Sequence, residues 1–398
     1  MIQKSSANEQ STDLLLSLRK FLSPEIVYGE GALELAGRHA LNLGATKVLI
    51  VTDPGIQEAG WTLKVEDALN ELNIAFITFN KVTSNPKDYE VMSGVDVYRN
   101  NECDLIIAVG GGSPMDCAKG IGVVAGNPMN ILKFEGVDEV PNPGPPLIFI
   151  PTTAGTSADV SQFDIITDTN RRVKIAIISK MVIPDIALVD PRTTVTMSPE
   201  LTAATGMDAL CHSFEAFVST ASSPLTDMAA LTSIKLIQDN LIGAYQNPTN
   251  MTYRNNMMMA SLMAGLAFSN ASLGLVHAMA HSLGGLLDLA HGECNAILLE
   301  KVVQYNYPAA EDEYSQIAKI MGIDVNKDGP MQNSSILAGH IASLRKRLGI
   351  TQRLSTMGVS SSDLPQLAGY AFKDPCLATN PRTANPAEIE KIYEQIYE

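Results

Sequence analysis

Four of the chain's six histidines stand at His212, His277, His281 and His291, and Asp208 precedes the first of them by four residues in the run Gly206-Met207-Asp208-Ala209-Leu210-Cys211-His212. Asp208 and His212 are spaced i and i+4, as are His277 and His281, so on helices each pair projects from one face about one turn apart. His291 follows Gly284-Gly285, where the chain can turn back toward the same point. Three imidazoles and one carboxylate form a ligand set suited to Fe(II) or Zn(II), with room left for a substrate oxygen. Taken singly, a histidine on an apolar helix face is an ordinary hydrogen-bonded core residue. The concentration argues otherwise: His39 and His340 lie elsewhere, and the stretch 269–289 is otherwise small and aliphatic, with Asp288 its one carboxylate. Imidazoles in such surroundings need partners, and a shared cation supplies them.

A second chemistry is written in the first half of the chain. The apolar run Leu105 to Val109 leads into Gly110-Gly111-Gly112-Ser113-Pro114-Met115-Asp116 and then a helical stretch. Glycines let backbone approach a diphosphate, and the start of the following helix offers free amides to an anion. Ser113 is expected as N-cap, Pro114 at the first helical position and Asp116 at the capping-box position. The common GxGxxG fingerprint is absent, and a tight strand-to-helix turn alone would also use these glycines. Two further clusters follow strand ends. Asp53, after Lys47 to Thr52, can accept hydrogen bonds from ribose hydroxyls and would repel a 2'-phosphate, which favours NAD over NADP; it can equally start the turn Asp53-Pro54-Gly55. Thr152 and Thr153 follow the run Leu147 to Ile150 and are either turn makers or ligand contacts.

These residues need a scaffold, and the chain has two grammars for it. From Phe21 to Pro191, continuous β-branched runs at Lys47 to Thr52, Ala75 to Phe79, Leu105 to Val109 and Leu147 to Ile150 alternate with helical stretches, the pattern of a parallel sheet buried on both faces. After Pro199, long Ala, Leu and Met stretches such as Ala229 to Leu241, Asn256 to Phe268 and Leu275 to Leu287 predict an all-helical half. The expected division is an N-terminal extension over 1–20, an α/β dinucleotide-binding domain over 21–198 and an all-α metal and substrate domain over 199–398.

Composition narrows the function classes. A length of 398 residues exceeds one ordinary core, and 45% hydrophobic against 18% charged residues describes a compact protein. The net charge of -15 argues against nucleic acid or an anionic membrane as partner and favours small molecules. Five cysteines without CxxC spacing suit a reducing compartment, and neither a signal-peptide core nor an uninterrupted membrane span is visible, so a cytoplasmic location is expected. The long apolar helical stretches suggest self-association as a homodimer or larger homo-oligomer.

The motifs GGGSPMDCAK at Gly110 to Lys119, PTTAGTSAD at Pro151 to Asp159, ATGMDALCHSFEAF at Ala204 to Phe217, GLVHAMAHSLGG at Gly274 to Gly285 and HGECNAILL at His291 to Leu299 together resemble the iron-containing, group III alcohol dehydrogenase family, from about Phe21 to the C-terminal end. The phrases GVDEVPNPGPP and KDPCLATNPR are similar to a bacterial branch of alcohol-dehydrogenase-like regulatory proteins, alongside short-chain alcohol and propanediol dehydrogenases. The resemblance implies the dehydroquinate synthase-like, iron alcohol dehydrogenase fold, with the active site between the two domains. It implies Asp208, His212, His277 and His291 as metal ligands and His281 as a proton-relay group beside nicotinamide and substrate. For the cofactor it implies Gly111, Gly112 and Ser113 at the diphosphate, Thr152 and Thr153 on the adenosine side, Asp53 at the ribose, Asn85 and Lys174 as polar contacts and Phe163 as a packing contact. One departure is Ala290, where the family pattern has proline before the last ligand; the missing restraint could loosen the loop that carries His291.

The expected chemistry is hydride transfer between a small primary alcohol and NAD, with the cation lowering the alcohol's pKa so that an alkoxide forms. The proton would leave through ribose hydroxyls and His281. An aliphatic lining should favour short alcohols and aldehydes. The rivals are a low-activity regulatory or sensing protein on the same fold and a zinc-dependent polyol dehydrogenase. Phosphorylated substrates are disfavoured because the helical half shows no basic cluster near the histidines. Cys211 and Cys294, beside the ligand positions, are expected to be packing residues.

Overall fold

The computed structural model describes residues 19–325 and 329–398. The expected extension 1–20 therefore falls almost wholly outside the described residues. In the first half, β1 (Glu25–Tyr28), α1 (Ala36–Asn42), β2 (Lys47–Val51), α2 (Pro54–Glu58), α3 (Trp61–Asn70), β3 (Ala75–Phe79), α4 (Asp88–Asn100), β4 (Leu105–Gly110) and α5 (Gly112–Gly126) are followed by β5 (Gly136–Val137), β6 (Leu147–Pro151), β7 (Phe163–Asp168), β8 (Val173–Ile178) and β9 (Ile186–Val189). Six of these strands form one sheet in the order β1-β9-β6-β4-β2-β3, and every pairing in it is parallel.

The continuous apolar runs have the cause the sequence suggested. Along β2, Val48 and Ile50 belong to the core on one face while Leu49 and Val51 belong to the core on the other. In β6, Ile148 and Ile150 are separated from Leu147 and Phe149 in the same way. Both faces of each strand are thus covered, and each buried aliphatic side chain contributes about 1.5–3 kcal/mol. The short strands β1 and β9, which extend the sheet beyond β6, were not anticipated. Nor was the antiparallel hairpin β7–β8, which joins β5 in a separate three-stranded sheet.

The sheet order reverses between β2 and β4, because β3 lies on one side of β2 and β4 on the other. The loops leaving β2, β4 and β6 therefore come together at the carboxyl edge, the place where open parallel sheets bind ligands.

After β9 the described chain contains only helices: α6 (Pro199–Val218), α7 (Pro224–Gln246), α8 (Met251–Ala271), α9 (Leu275–Leu287), α10 (His291–Asn306), α11 (Glu311–Ile320), α12 (Pro330–Arg347), α13 (Leu364–Ala371) and α14 (Pro386–Glu394), with short 3-10 turns. Ser198 caps α6 by accepting from Leu201 N–H at 3.1 Å, with Pro199 in the first helical position. Between α8 and α9 the axis bends by 98°, at Ser272 with φ 64°. No single described helix is long and apolar enough to cross a membrane. The apolar stretches instead pack on one another in the largest core cluster.

One expectation is corrected here. Gly284 and Gly285 do not turn the chain; α9 runs through them to Leu287, and the turn is made at Asp288, with φ 54°. The glycines make room. A Cβ on Gly285 would stand 2.7 Å from the Lys174 backbone nitrogen, and one on Gly284 would stand 2.8 Å from Lys174 Cε, so they allow β8 to lie directly against the helix.

Candidate active site

Helix α6 carries Asp208 and His212, α9 carries His277 and His281, and His291 opens α10. The bend before α9 and the turn at Asp288 bring the three helices to one point. Asp208 Oδ1 lies 3.9 Å from His212 Nε2, 3.8 Å from His277 Nε2 and 3.7 Å from His291 Nε2. Bonds of about 2.0–2.2 Å to one ion would put tetrahedral ligands about 3.4 Å apart, so a small shift closes this set on a divalent cation. The four ligand atoms lie within 4.8 Å of one another. The donor set fits Fe(II) or Zn(II) in chemistry and in spacing.

The charges are arranged for a cation. Burial alone would raise Asp208, but the imidazoles of His212, His291 and His277 hold it well below the usual carboxylate range. Burial lowers His212 to about 4 and takes His291 well down, so both rings are neutral and able to donate a lone pair. Burial opposes charge on His277 too, yet Glu215 and Asp208 carry it up to about 9.

Around the ligands stand residues that sequence reasoning missed. Glu215 Oε2 lies 2.5 Å from His277 Nδ1. Asn295 Nδ2 donates to Asp208 Oδ1 at 2.5 Å and lies 3.1 Å from His277 Nε2 and 3.2 Å from His291 Nε2. Asp374 Oδ2 lies 2.8 Å from His281 Nδ1, and its other oxygen accepts from Cys376 N–H at 2.8 Å. Glu215 and Asn295 could have been suspected, since they follow His212 and His291 by three and four residues, on the same helix faces. Asp374 carried no such signal.

His281 packs its ring parallel to His291 with centroids 5.4 Å apart, so the fourth histidine joins the cluster without entering the Asp208 set. Cys211 and Cys294 are fully buried, and burial pushes both thiols up, which suits packing and not ligation. Cys211 Sγ also donates to Asn295 C=O at 3.5 Å. Ala290 precedes α10 with φ -64°, a value proline would have imposed, so the backbone before His291 already holds the shape the missing proline would restrain. Phe268 stacks on the His212 ring with centroids 4.3 Å apart, and the Phe163 ring lies 5.8 Å from that of Phe268.

At the carboxyl edge of the sheet, Gly110 has φ 157° and Gly111 is extended, and α5 begins at Gly112 with Gly111 as N-cap and no side-chain cap. This corrects the expected cap at Ser113. The glycines let the helix start two residues earlier, and Ser113 and Pro114 fall within its first turn, where Pro114 lacks only an N–H that would have no helical partner. Asp116 is no capping residue either; burial raises its carboxyl to about 6.

The loop after β6 faces this turn. A Cβ on Gly111 would meet Thr153 at 3.2 Å, and one on Gly112 would meet Thr156 at 3.1 Å. Thr152 is buried, and its hydroxyl has no hydrogen-bond partner. An orphan hydroxyl beside free amides at a helix start fits a diphosphate-bearing cofactor. Asp53 caps α2 by accepting from Ile56 N–H at 3.0 Å, and burial raises its carboxyl. Asn85, with φ 53°, reaches across to the helical half and donates to Asp288 Oδ1 at 2.7 Å. Lys174 comes from β8 to the glycine face of α9, and burial lowers its pKa. Besides burial, Lys174, which comes from the α/β half, helps to lower the pKa of His291.

Residues 23–191 match the model of the iron-containing alcohol dehydrogenases, and residues 202–397 match that of the Fe-containing alcohol dehydrogenase family, C-terminal part. The chain belongs to the iron-containing alcohol dehydrogenase family, whose members use Fe(II) and NAD. It is 40% identical over 380 residues to the 1,3-propanediol dehydrogenase of Citrobacter freundii, covering 95% of this chain and 98% of that one. It is 37% identical to the NAD-dependent methanol dehydrogenase of Bacillus methanolicus, covering 94% and 98%. A crystal structure of 1,3-propanediol oxidoreductase superimposes with a TM-score of 0.92 at 39% identity, covering 96% of this chain and all of that one. The chain is an NAD-linked alcohol and aldehyde oxidoreductase, and these relatives favour neither a regulatory protein nor a zinc-dependent polyol dehydrogenase.

Proposed function

We propose that Asp208, His212, His277 and His291 hold the iron and that the alcohol is a short primary one, bound on the Phe268 side of the histidines. The observation that carries this reading is the convergence of three imidazole Nε2 atoms from three helices on one oxygen of Asp208. We place the division of labour at 198/199: residues 21–198 bind the dinucleotide and residues 199–398 bind metal and substrate. When bound, Fe(II) supplies Lewis-acid polarisation of the alcohol or aldehyde oxygen, and NAD accepts or returns the hydride.

The residues of the chain do the rest. Gly111, Gly112 and Ser113 present amides to the diphosphate, Thr152 and Thr153 contact the adenosine side from the loop after β6, and Asp53 reaches the ribose while it caps α2. Lys174 and Asn85 supply polar contacts to the cofactor. His281, held by Asp374, takes the proton that leaves the alcohol. Phe268 and Phe163 exclude water and leave room for a short chain.

The test is NADH formation by protein reconstituted anaerobically with Fe(II), Zn(II) or no metal over a series of short primary alcohols, with metal content measured alongside. His277→Ala should lose stoichiometric iron and lower kcat/KM by about 1,000-fold or more, the several kcal/mol that Lewis-acid activation supplies. Full turnover without metal, or unchanged iron content in the variant, would remove the reading.

A further inference from the structure

Helix α9 carries two of the site's histidines, yet it has no cap of its own: Gly274 stands at the N-cap with no side-chain hydrogen bond. Its first amides are satisfied from a distance. Asn380 Oδ1 accepts from Leu275 N–H at 3.1 Å, and Glu215 Oε1 accepts from Val276 N–H at 2.6 Å. Glycine is needed for this, since a Cβ at Gly274 would stand 2.8 Å from Asn380 Oδ1 and 3.0 Å from Glu215 Oε1. The second oxygen of Glu215 lies 2.5 Å from His277 Nδ1. Glu215 is buried, and both of its oxygens are engaged, so the carboxylate cannot rotate without losing a partner.

We propose that Glu215 is a positioning residue of the metal centre, fixing His277 with its proton on Nδ1 so that the Nε2 lone pair faces Asp208, and locking the first turn of α9 at the same time. The inference rests on the reading of His277 as a metal ligand. The reason for a carboxylate is that Val276 N–H and the Nδ1–H of His277 are both donors, and only a group with two acceptor oxygens satisfies both. A glutamine of the same shape offers one acceptor. If its oxygen keeps the helix cap, its NH2 faces Nδ1, the ring proton must move to Nε2, and that nitrogen can no longer bind a metal. If the amide turns over, two N–H groups meet at Val276. The carboxylate is thus tied to the ligand's tautomer, and its position three residues after His212 places both on one face of α6.

The experiment measures Co(II) affinity by competition with a chelator, the visible spectrum of the Co(II) protein, and the melting temperature without metal. Glu215→Gln should weaken Co(II) binding by about 10–100-fold, the range typical for loss of an outer partner of a metal-bound histidine, and should alter the spectrum. Asn380→Ala, which removes the neighbouring cap of α9 and leaves His277 alone, should lower the melting temperature and leave Co(II) affinity within about twofold, a factor worth under 1 kcal/mol. An unchanged affinity and spectrum in Glu215→Gln, or an equal loss of affinity in Asn380→Ala, overturns the proposal. Should Glu215→Gln fail to fold, nitrogen-15 imidazole spectra of the metal-free wild-type protein decide: a neutral His277 ring with its proton on Nδ1 supports the proposal, and a neutral ring with its proton on Nε2 overturns it. If the wild-type protein binds Co(II) no better than Asp208→Ala, the metal-centre reading itself is at fault, and the role of Glu215 falls with it.

Discussion

The two ends of the active site are built by opposite means. At the sheet edge the proposed cradle depends on what is missing: Gly111 and Gly112 let Thr153 and Thr156 pack within 3.2 Å of where a Cβ would stand, and the backbone amides at the start of α5 are the proposed binding groups. At the helical end everything depends on what is present. Side chains from three helices converge, and Glu215, Asn295 and Asp374 hold them. A site made of backbone should fail when atoms are added, and a site made of side chains should fail when hydrogen-bonding groups are removed.

The largest effect expected from this contrast is at Gly111. Gly111→Val adds a Cβ 3.2 Å from Thr153 and two methyls beyond it, so the loop and any diphosphate over it are pushed apart. The KM for NAD should rise by about 100-fold, the usual consequence of a displacement near 1 Å, while iron content stays unchanged. Metal loss in this variant would show that the two ends are not independent.

A smaller effect is expected at Asp374. Asp374→Asn keeps the shape but replaces the oxygen that orients His281 Nδ1. Turnover should fall by about 10–100-fold with metal content and the KM for NAD unchanged, at the low end of what a misplaced proton-transfer group costs. An Asp374→Asn enzyme with wild-type kcat would remove His281 from the proton path.

The smallest effect sharpens the comparison from the side of stability. Asp159, on the loop after β6, is fully buried, and desolvation raises its carboxyl to about 6 against the stabilising influence of its own backbone amide and Lys119. Because the folded pKa lies above the unfolded one, the protonated form favours folding: this contribution is complete below about pH 4 and is lost as pH rises through about 6. Asp159→Asn should therefore stabilise the protein by roughly 1–3 kcal/mol at pH 7–8 and by little at pH 4. Denaturation at both pH values tests it, and a loss of stability at pH 8 would mean that Lys119 needs the carboxylate more than burial penalises it.

Much of this could be read before folding. The apolar runs of β2, β3, β4 and β6 announced a doubly covered parallel sheet because both faces of each strand need the same chemistry. The i and i+4 spacing of Asp208 with His212 and of His277 with His281 announced shared helix faces because the helical repeat is local. Where the reading failed, the cause was long-range. Gly284 and Gly285 looked like a turn, but their small size serves β8, more than a hundred residues earlier in the chain. Ser113 looked like a cap, but the helix started earlier because the preceding glycines could adopt the required backbone.

By itself, then, the sequence determined the candidate ligand residues, their helix-face pairing, the two-part architecture and the family, since all of these follow from short-range periodicity and from motifs. Tertiary structure alone decided that three helices meet at Asp208, that Glu215 and Asp374 each hold one histidine of α9, and that Lys174 and Asn85 reach the helical half from the other side. Those contacts join residues tens to more than two hundred positions apart, and their geometry is set by how helices and sheet pack, which no local spacing encodes.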